Sequence, residues 1–379
     1  MYTYALLANP SYVRVSYQDW KDLACAELSA AALSAVLVDV RVEHIGGVEY
    51  ILFDMSRPVI ASDIQILSRL SFVHALFQRQ MELLRPLEKS PGYFLDGDLS
   101  AILKYSGKTN ELFTRLMLNL AAFHIGRTKI VPNPSGNLNI LDPLAGKGTT
   151  LFEAMMQNHN AYGVEVDSKI VQESQIYLKK YLETARYKHS THTEKISGSI
   201  AAASPGGTQG RTVGHKGNES SRFTAVRYQI ETAPSKSAGK DGGGAKFEMI
   251  AGDTRYTAEY FRKNHFHAII ADLPYGVQHG SKAANKIGSE GNGKTGKKPH
   301  SSSMTRNALG LIKESLPSWL KTLKSGGVIV LAWNLFLIPR GELEDVFTAH
   351  GLTLPENQAN FKHRVDQAID RDIIIGVKN

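Results

Sequence analysis

Apolar and polar positions divide this 379-residue chain into two regimes. Up to about residue 100, short runs of strand-like and helical spacing alternate. Residues 4–8 read as a strand. Residues 20–33 have helical spacing through Leu23, Ala26, Leu28 and Leu33. Residues 37–43 and 48–53 read as strands joined across Ile45-Gly46-Gly47, a hairpin signal, and 60–70 after Pro58 as a helix. The pattern predicts a compact α+β module over 1–100. It holds no cluster of His, Asp and Glu, so it is expected to bind or position rather than react.

The second regime, 101–379, has the longer period of an α/β domain. A helix is expected over 101–125, with Leu112, Phe113, Leu116, Leu118 and Leu120 near one face, followed by the turn P-N-P-S-G. Then comes N-I-L-D-P-L-A-G-K-G-T-T (139–150): a buried strand ending in Asp142, a turn with Gly146 and Gly148, and a helix opening at Leu151 and Phe152. Strand, glycine turn and helix in that order present backbone N–H groups to a ligand above the strand ends.

Residues 161–167 read as a second strand ending in acids, with Asp167 placed to cap a helix over 168–181. The stretch 188–245 breaks the pattern. It is basic and rich in Gly and Ser, with strand alternation only over 222–232, and is expected to be an insertion carrying at most one β-ribbon. Residues 247–253 and 267–272 read as a third and fourth strand, the last followed at once by L-P-Y-G. A basic, Gly-rich loop over 277–306 is a second insertion. A helix over 308–323, a strand over 328–333, a helix over 342–349 and closing strands at 361–365 and 372–377, of open direction, complete the chain.

Four of these strands end in Asp142, Glu165, Asp253 and Asp272, which lines one rim of a parallel sheet with acids. Such a rim disfavours a triphosphate and suits a cationic, hydroxyl-rich ligand. The Walker pattern fails because Gly148 follows Lys147 and Leu141 stands where a glycine is required. The dinucleotide fingerprint fails at Leu151. Glu165 lies 23 residues after Asp142, where an acid takes ribose hydroxyls in nucleotide-binding βαβ units.

Taken together, D-P-L-A-G-K-G-T-T, G-V-E-V-D, G-D-T-R and D-L-P-Y-G resemble the class I S-adenosylmethionine-dependent methyltransferases that act on exocyclic amines. The resemblance covers about 139–335 and implies a Rossmann-like methyltransferase sheet beside the smaller amino-terminal α+β module. It implies S-adenosyl-L-methionine as cofactor, with the methionine part held on the turn by Asp142, Ala145, Gly146, Gly148 and Thr149. Glu165 would hold the ribose and Asp253, with Thr254 beside it, the adenine amine. Asp272, Leu273, Pro274 and Tyr275 would form the catalytic tetrapeptide. There the Asp272 carboxylate and Leu273 carbonyl accept the two N–H groups of the amine, Pro274 fixes the turn, and Tyr275 stacks on the base. Two positions depart from the pattern: Leu273 stands where Pro or Ile is usual, and Lys147 where a small residue is.

Within that class, the domain order, D-L-P-Y-G-V-Q-H-G and L-K-S-G-G-V-I-V-L-A-W-N resemble the THUMP-associated tRNA guanine-N2 methyltransferases. This implies a THUMP-like first domain that grips RNA, a tRNA partner, and guanine N2 as the methylated atom. The residues leave open a DNA or rRNA amino-methyltransferase acting on adenine N6 or cytosine N4, and a non-catalytic RNA-binding relic.

Composition changes this picture little. A net charge of +8 agrees with a polyanionic partner, the basic loops 188–245 and 277–306 supplying phosphate contacts. The single cysteine, Cys25, excludes an internal disulfide and a multi-cysteine zinc site, and is expected to pack as a small apolar residue. No metal is expected. No apolar run of membrane-spanning length or secretory leader is read, so the expectation is a cytoplasmic protein with no membrane partner. His279 reads as a loop surface residue.

Overall fold

The computed structural model describes the chain except residues 12–18, 91–93, 96–97, 103–107, 134–135, 201–220, 234–243, 276–307 and 357–358. The loop 277–306, His279 and the glycine-rich pieces 204–210 and 241–243 therefore lie outside the described residues.

The first regime is built from β1 (Tyr2–Ala8), α1 (Trp20–Ala30), β2 (Leu37–Ile45), β3 (Val48–Met55), α2 (Ala61–Arg69), β4 (Val73–Gln80) and β5 (Leu83–Leu87). The strands form an antiparallel five-stranded sheet in the order β2-β3-β1-β4-β5. Between β2 and β3 the chain turns at Gly46 and Gly47, whose φ of 57° and 81° are the left-handed values a two-residue hairpin needs. The β4–β5 hairpin was not expected from the sequence. Its turn uses Met81 at φ 52° rather than glycine or asparagine, and Pro86 within β5 argues against a strand except at a sheet edge, where β5 lies.

Two helices follow, the short α3 (Leu99–Ile102) and the longer α4 (Glu111–Ile125). The helix expected over 101–125 starts only at Glu111, because the Asn110 side chain accepts from the N–H groups of Leu112 (2.9 Å) and Phe113 (3.3 Å).

The second regime contains β6 (Asn139–Asp142), α5 (Thr149–Met156), β7 (Asn160–Glu165), α6 (Ser168–Thr184), β8 (His189–Ile200), β9 (Ser221–Thr232), β10 (Lys246–Ala251) and α7 (Thr257–Tyr260). It continues with β11 (Phe266–Asp272), α8 (Ala308–Thr322), β12 (Leu323–Asn334), α9 (Arg340–Ala349), β13 (Leu352–Thr353), β14 (His363–Asp366) and β15 (Ile369–Lys378). Its ten-stranded sheet runs β13-β15-β12-β11-β6-β7-β10-β9-β8, with β14 paired to β15. The five central strands, β12-β11-β6-β7-β10, are parallel. This is the Rossmann-like α/β sheet that the sequence implied. The chain leaves β6 in one direction and returns on its other side at β11, so the topological switch point falls between Asp142 and Asp272.

Alternation along these strands fills both faces. Ile140 packs with α5 and α6 residues such as Met155 and Leu178, while Leu141 packs with Trp319 of α8 and Phe347 of α9. The stretch 188–245 carries the one β-ribbon expected of it, but its first strand, β8, had no alternation to mark it. This strand pairs along its whole length with β9, which itself pairs with β10, so the ribbon extends the main sheet. Its sequence, H-S-T-H-T-E-K-I-S-G-S-I, has almost no apolar positions, which suits an outer edge strand and hides it from a periodicity reading. Of the closing strands, β15 runs antiparallel to β12, and β14 runs antiparallel to β15. Among the described residues, no helix is long and apolar enough to cross a membrane.

A buried carboxylate joins the two sheets. Glu27 of α1 is fully buried and accepts from the Ser71 N–H (2.9 Å) and from the Asn119 side-chain amide of α4 (2.7 Å). Asn119 also donates to the Arg69 carbonyl at 2.9 Å. Burial raises the Glu27 pKa, and the Ser71 and Asn119 donors oppose that rise. Glu27→Ala leaves those donors unpaired, and we expect a loss of about 3 kcal/mol, read as a lower urea midpoint at unchanged m value.

Candidate functional site

Around the glycine turn, β6 is buried over its whole length and delivers Asp142, only 4% exposed, to the rim of the sheet. Asp142 accepts from the Leu144 N–H at 2.9 Å and from the Thr150 side chain. Gly146 and Gly148 take φ of 50° and 88°, which lets the chain reverse and start α5 at Thr149. A third glycine was not singled out in the sequence. A Cβ on Gly163 of β7 would sit 2.9 Å from the Ala145 Cβ and from Leu151, so glycine there lets the turn lie directly on β7.

Glu165 supports the same turn from the side. One carboxylate oxygen accepts from the Gly146 N–H (3.1 Å) and the other from the Asp167 N–H (2.9 Å). The helix-capping alternative belongs to Asp167, which accepts from the Lys169 N–H at 2.9 Å. Lys147 pairs with Glu173 of α6 at 2.7 Å.

Asp253 follows the end of β10 and caps the short helical turn at Thr254–Tyr256. Its carboxylate is held by the Arg255 guanidinium, with Nη2 at 2.6 Å and Nε at 3.1 Å, and Arg255 reaches on to Glu314. Thr254 is fixed from beneath by the Trp319 indole, which donates to its hydroxyl at 2.9 Å.

At the end of β11, Asp272 is held by two hydroxyls from different parts of the chain. Thr109 donates to Oδ2 at 2.6 Å, and the Tyr275 phenol donates to Oδ1. The Leu273 side chain is buried and its N–H donates to the Ala332 carbonyl at 2.9 Å. An aliphatic residue therefore fits there, and the backbone is fixed by β12. Burial, with Asp272 adding to it, raises the Tyr275 pKa well above its ordinary value, so the phenol keeps its proton as donor. Thr109 and Arg371, whose guanidinium carbon lies 4.9 Å from the Tyr275 ring centroid, were missed by sequence reading; neither is part of a local motif.

These elements enclose a cavity of about 270 Å³. Glu165, Asp253, Thr254, Asp272 and Pro274 line it together with Leu144, Val166 and Leu311 of α8. Val166 is 69% exposed although apolar. Asp142, Ala145, Gly146, Gly148, Thr149, Leu273 and Tyr275 are not in its wall; Asp142 lies buried behind it. The cavity thus combines apolar walls from Val166, Leu144 and Leu311 with the carboxylates of Glu165, Asp253 and Asp272. Such a cavity suits a flat ring joined to a hydroxyl-bearing and cationic remainder.

Burial pushes the Asp142 carboxyl up to about 7, against the hydrogen bonds from Thr150 and Leu144, with Asp272 and Glu165 adding repulsion. Burial also raises Glu165, against its backbone donors.

No family model and no curated protein matches this chain. Three solved structures with which it is similar are TrmN from Thermus thermophilus (13% identity, TM-score 0.39, covering 90% of this chain and 59% of that one), the Methanococcus jannaschii fibrillarin pre-rRNA processing protein (11%, 0.34, 90% and 83%) and the magnesium protoporphyrin IX methyltransferase of Synechocystis PCC 6803 with bound SAM (9%, 0.35, 74% and 90%). The chain thus spans 59% of the length of the first of these.

Because the folded-state pKa of Asp142 is raised, the native protein binds a proton more readily there than the unfolded chain does. The stabilising effect is complete below the unfolded value of 3.8 and is lost as pH rises through about 7. Relative to Asp142→Asn, the unmodified protein should therefore lose on the order of 4 kcal/mol between pH 4 and pH 8, measured by urea unfolding of both proteins at each pH.

Proposed function

We propose that this chain is an S-adenosylmethionine-dependent methyltransferase acting on an exocyclic amine of an RNA base, with guanine N2 of tRNA as its substrate. The observation that carries the reading is the end of β11: Asp272 and Pro274 line the cavity at the switch point of the sheet, with Tyr275 bonded to the same carboxylate.

The cavity fits the cofactor by its chemistry. S-adenosylmethionine supplies an electrophilic methyl group on a sulfonium. Val166 and Leu311 would hold its purine, Glu165 would accept from the ribose hydroxyls, and Pro143 and Leu144 at the start of the glycine turn would face the remainder, with Asp142 behind them. Asp253 takes the adenine amine with the lone pairs that Arg255 leaves free, and Thr254 stands next to it. A carboxylate oxygen has more than one lone pair, so both acids can accept from a ligand while keeping the partners described above.

Asp272 does two things in transfer. It accepts an amine N–H, while the Leu273 carbonyl accepts the other, and this draws the nitrogen lone pair out of conjugation with the ring. It then receives the proton the nitrogen sheds as the N–C bond forms and the methyl–sulfur bond breaks, and passes that proton to water. Most of the acceleration is positioning. A stacked base must be turned out of its helix to reach this depth, and Tyr275 gives it an aromatic face.

Residues 1–100 and 101–379 act as two domains, the first gripping RNA and the second reacting with it. Of the basic residues on the β8–β9 ribbon, Arg227 is neutralised by Glu194 and by Glu248 at 2.9 Å, so Lys188 and Lys195 are the better candidates for phosphate contact.

Asp272→Asn should lower methyl transfer by about 10²- to 10³-fold, with the cofactor Kd from calorimetry changed less than about threefold. Loss of cofactor binding together with transfer would contradict the assignment. Incubation with labelled S-adenosylmethionine and matched tRNA, rRNA and DNA, followed by nucleoside mass spectrometry, should give N2-methylguanosine from tRNA. N6-methyladenosine or N4-methylcytidine would keep the chemistry and replace the substrate, and no product from any acceptor would reject the enzyme reading.

A further inference from the structure

Arg371, near the start of β15, pairs with Asn334 at the carboxyl end of β12, and so stands two strands from Asp272 on the same rim. It is only 6% exposed, and its Nε has no hydrogen-bond partner among the described residues. None of its nitrogens lies in an ion pair among those described. A buried guanidinium without a carboxylate is unfavourable unless other groups offset its desolvation.

Two rings provide that offset. The guanidinium carbon lies 4.3 Å from the ring centroid of Phe113 in α4 and 4.9 Å from that of Tyr275. Both are within the range of a cation–π contact, which strengthens when water is excluded. Phe113 is itself packed against His363 of β14 at 5.1 Å, so its ring is fixed by a neighbouring strand. The phenol itself donates to the Asp272 carboxylate, which can only accept. By lying against the ring, Arg371 restrains its plane and with it the place of the hydroxyl that bonds Asp272.

We propose that Arg371 is a positioning residue for the reaction, acting through Tyr275 on the Asp272 carboxylate. The Arg371 guanidinium lies against the rings of both Phe113 and Tyr275 and so ties the tyrosine ring to α4. The Tyr275 hydroxyl turns that placement into a fixed orientation of the carboxylate, with Thr109 completing it from the other oxygen. The inference rests on the amine-methyltransferase reading for its consequence in catalysis, and on the geometry alone for the restraint on Tyr275.

The test separates the two. The full chain is prepared with 3-fluorotyrosine, and the Tyr275 signal among the 15 tyrosines is assigned by its loss in Tyr275→Phe. In Arg371→Met, which keeps the volume and apolar stem, the Tyr275 fluorine resonance should shift or broaden while the others stay in place. An unmoved Tyr275 resonance overturns the proposal whether or not the chain transfers methyl groups. In single-turnover transfer to tRNA, Arg371→Met and Tyr275→Phe should each slow the chemical step by roughly tenfold or more at unchanged cofactor Kd. The double variant should lose no more than the larger single loss. Losses that multiply, or a cofactor Kd weakened in proportion to the rate, show that Arg371 acts independently of Tyr275 and overturn it. If the unmodified chain transfers to no acceptor, the functional reading fails and the fluorine shift alone decides whether Arg371 restrains Tyr275.

Discussion

Carboxylates are costly to remove from water, and this fold gathers four of them at the carboxyl rim of one parallel sheet. Each is made tolerable in a different way. Asp142 is almost fully buried and is driven toward its protonated form. Glu165 is held by the N–H groups of Gly146 and Asp167, Asp253 by the Arg255 guanidinium, and Asp272 by the hydroxyls of Thr109 and Tyr275. These solutions reach beyond the rim. The glycine turn must fold back to reach Glu165, the strand under it must lack a side chain at Gly163, and α8 must bring Trp319 beneath Thr254. The architecture of the site follows from finding hydrogen-bond donors for acids held side by side.

The parts legible in the sequence are those where chemistry and local period coincide. The β6–turn–α5 unit shows both a strand period and glycines with left-handed torsions, and the acids fall at strand ends because parallel strands all point their carboxyl ends to one rim. Asp167 is legible as a cap because the partner it accepts from is only two residues on. Two kinds of element were not legible. The strands β8 and β5 lack the apolar alternation that marks a strand, the first being polar at nearly every position and the second interrupted by Pro86. Thr109 and Arg371 act on residues 163 and 96 positions away, Asp272 and Tyr275, and no spacing rule connects them. Their roles depend on tertiary contact alone.

One helix touches nearly everything that matters. Thr109 lies just ahead of α4 and bonds Asp272; Phe113 in its first turn carries Arg371; Arg115 pairs with the buried Glu153 of α5; and Asn119, near its middle, bonds Glu27 of the first sheet. From Thr109 to Asn119 the span is about 15 Å at helical rise. Such a helix is stiff over this distance, so it behaves as a lever with its two ends in different layers of the molecule. Any displacement of Glu27 relative to Asp272 therefore has to bend this helix or break one of the contacts at its two ends.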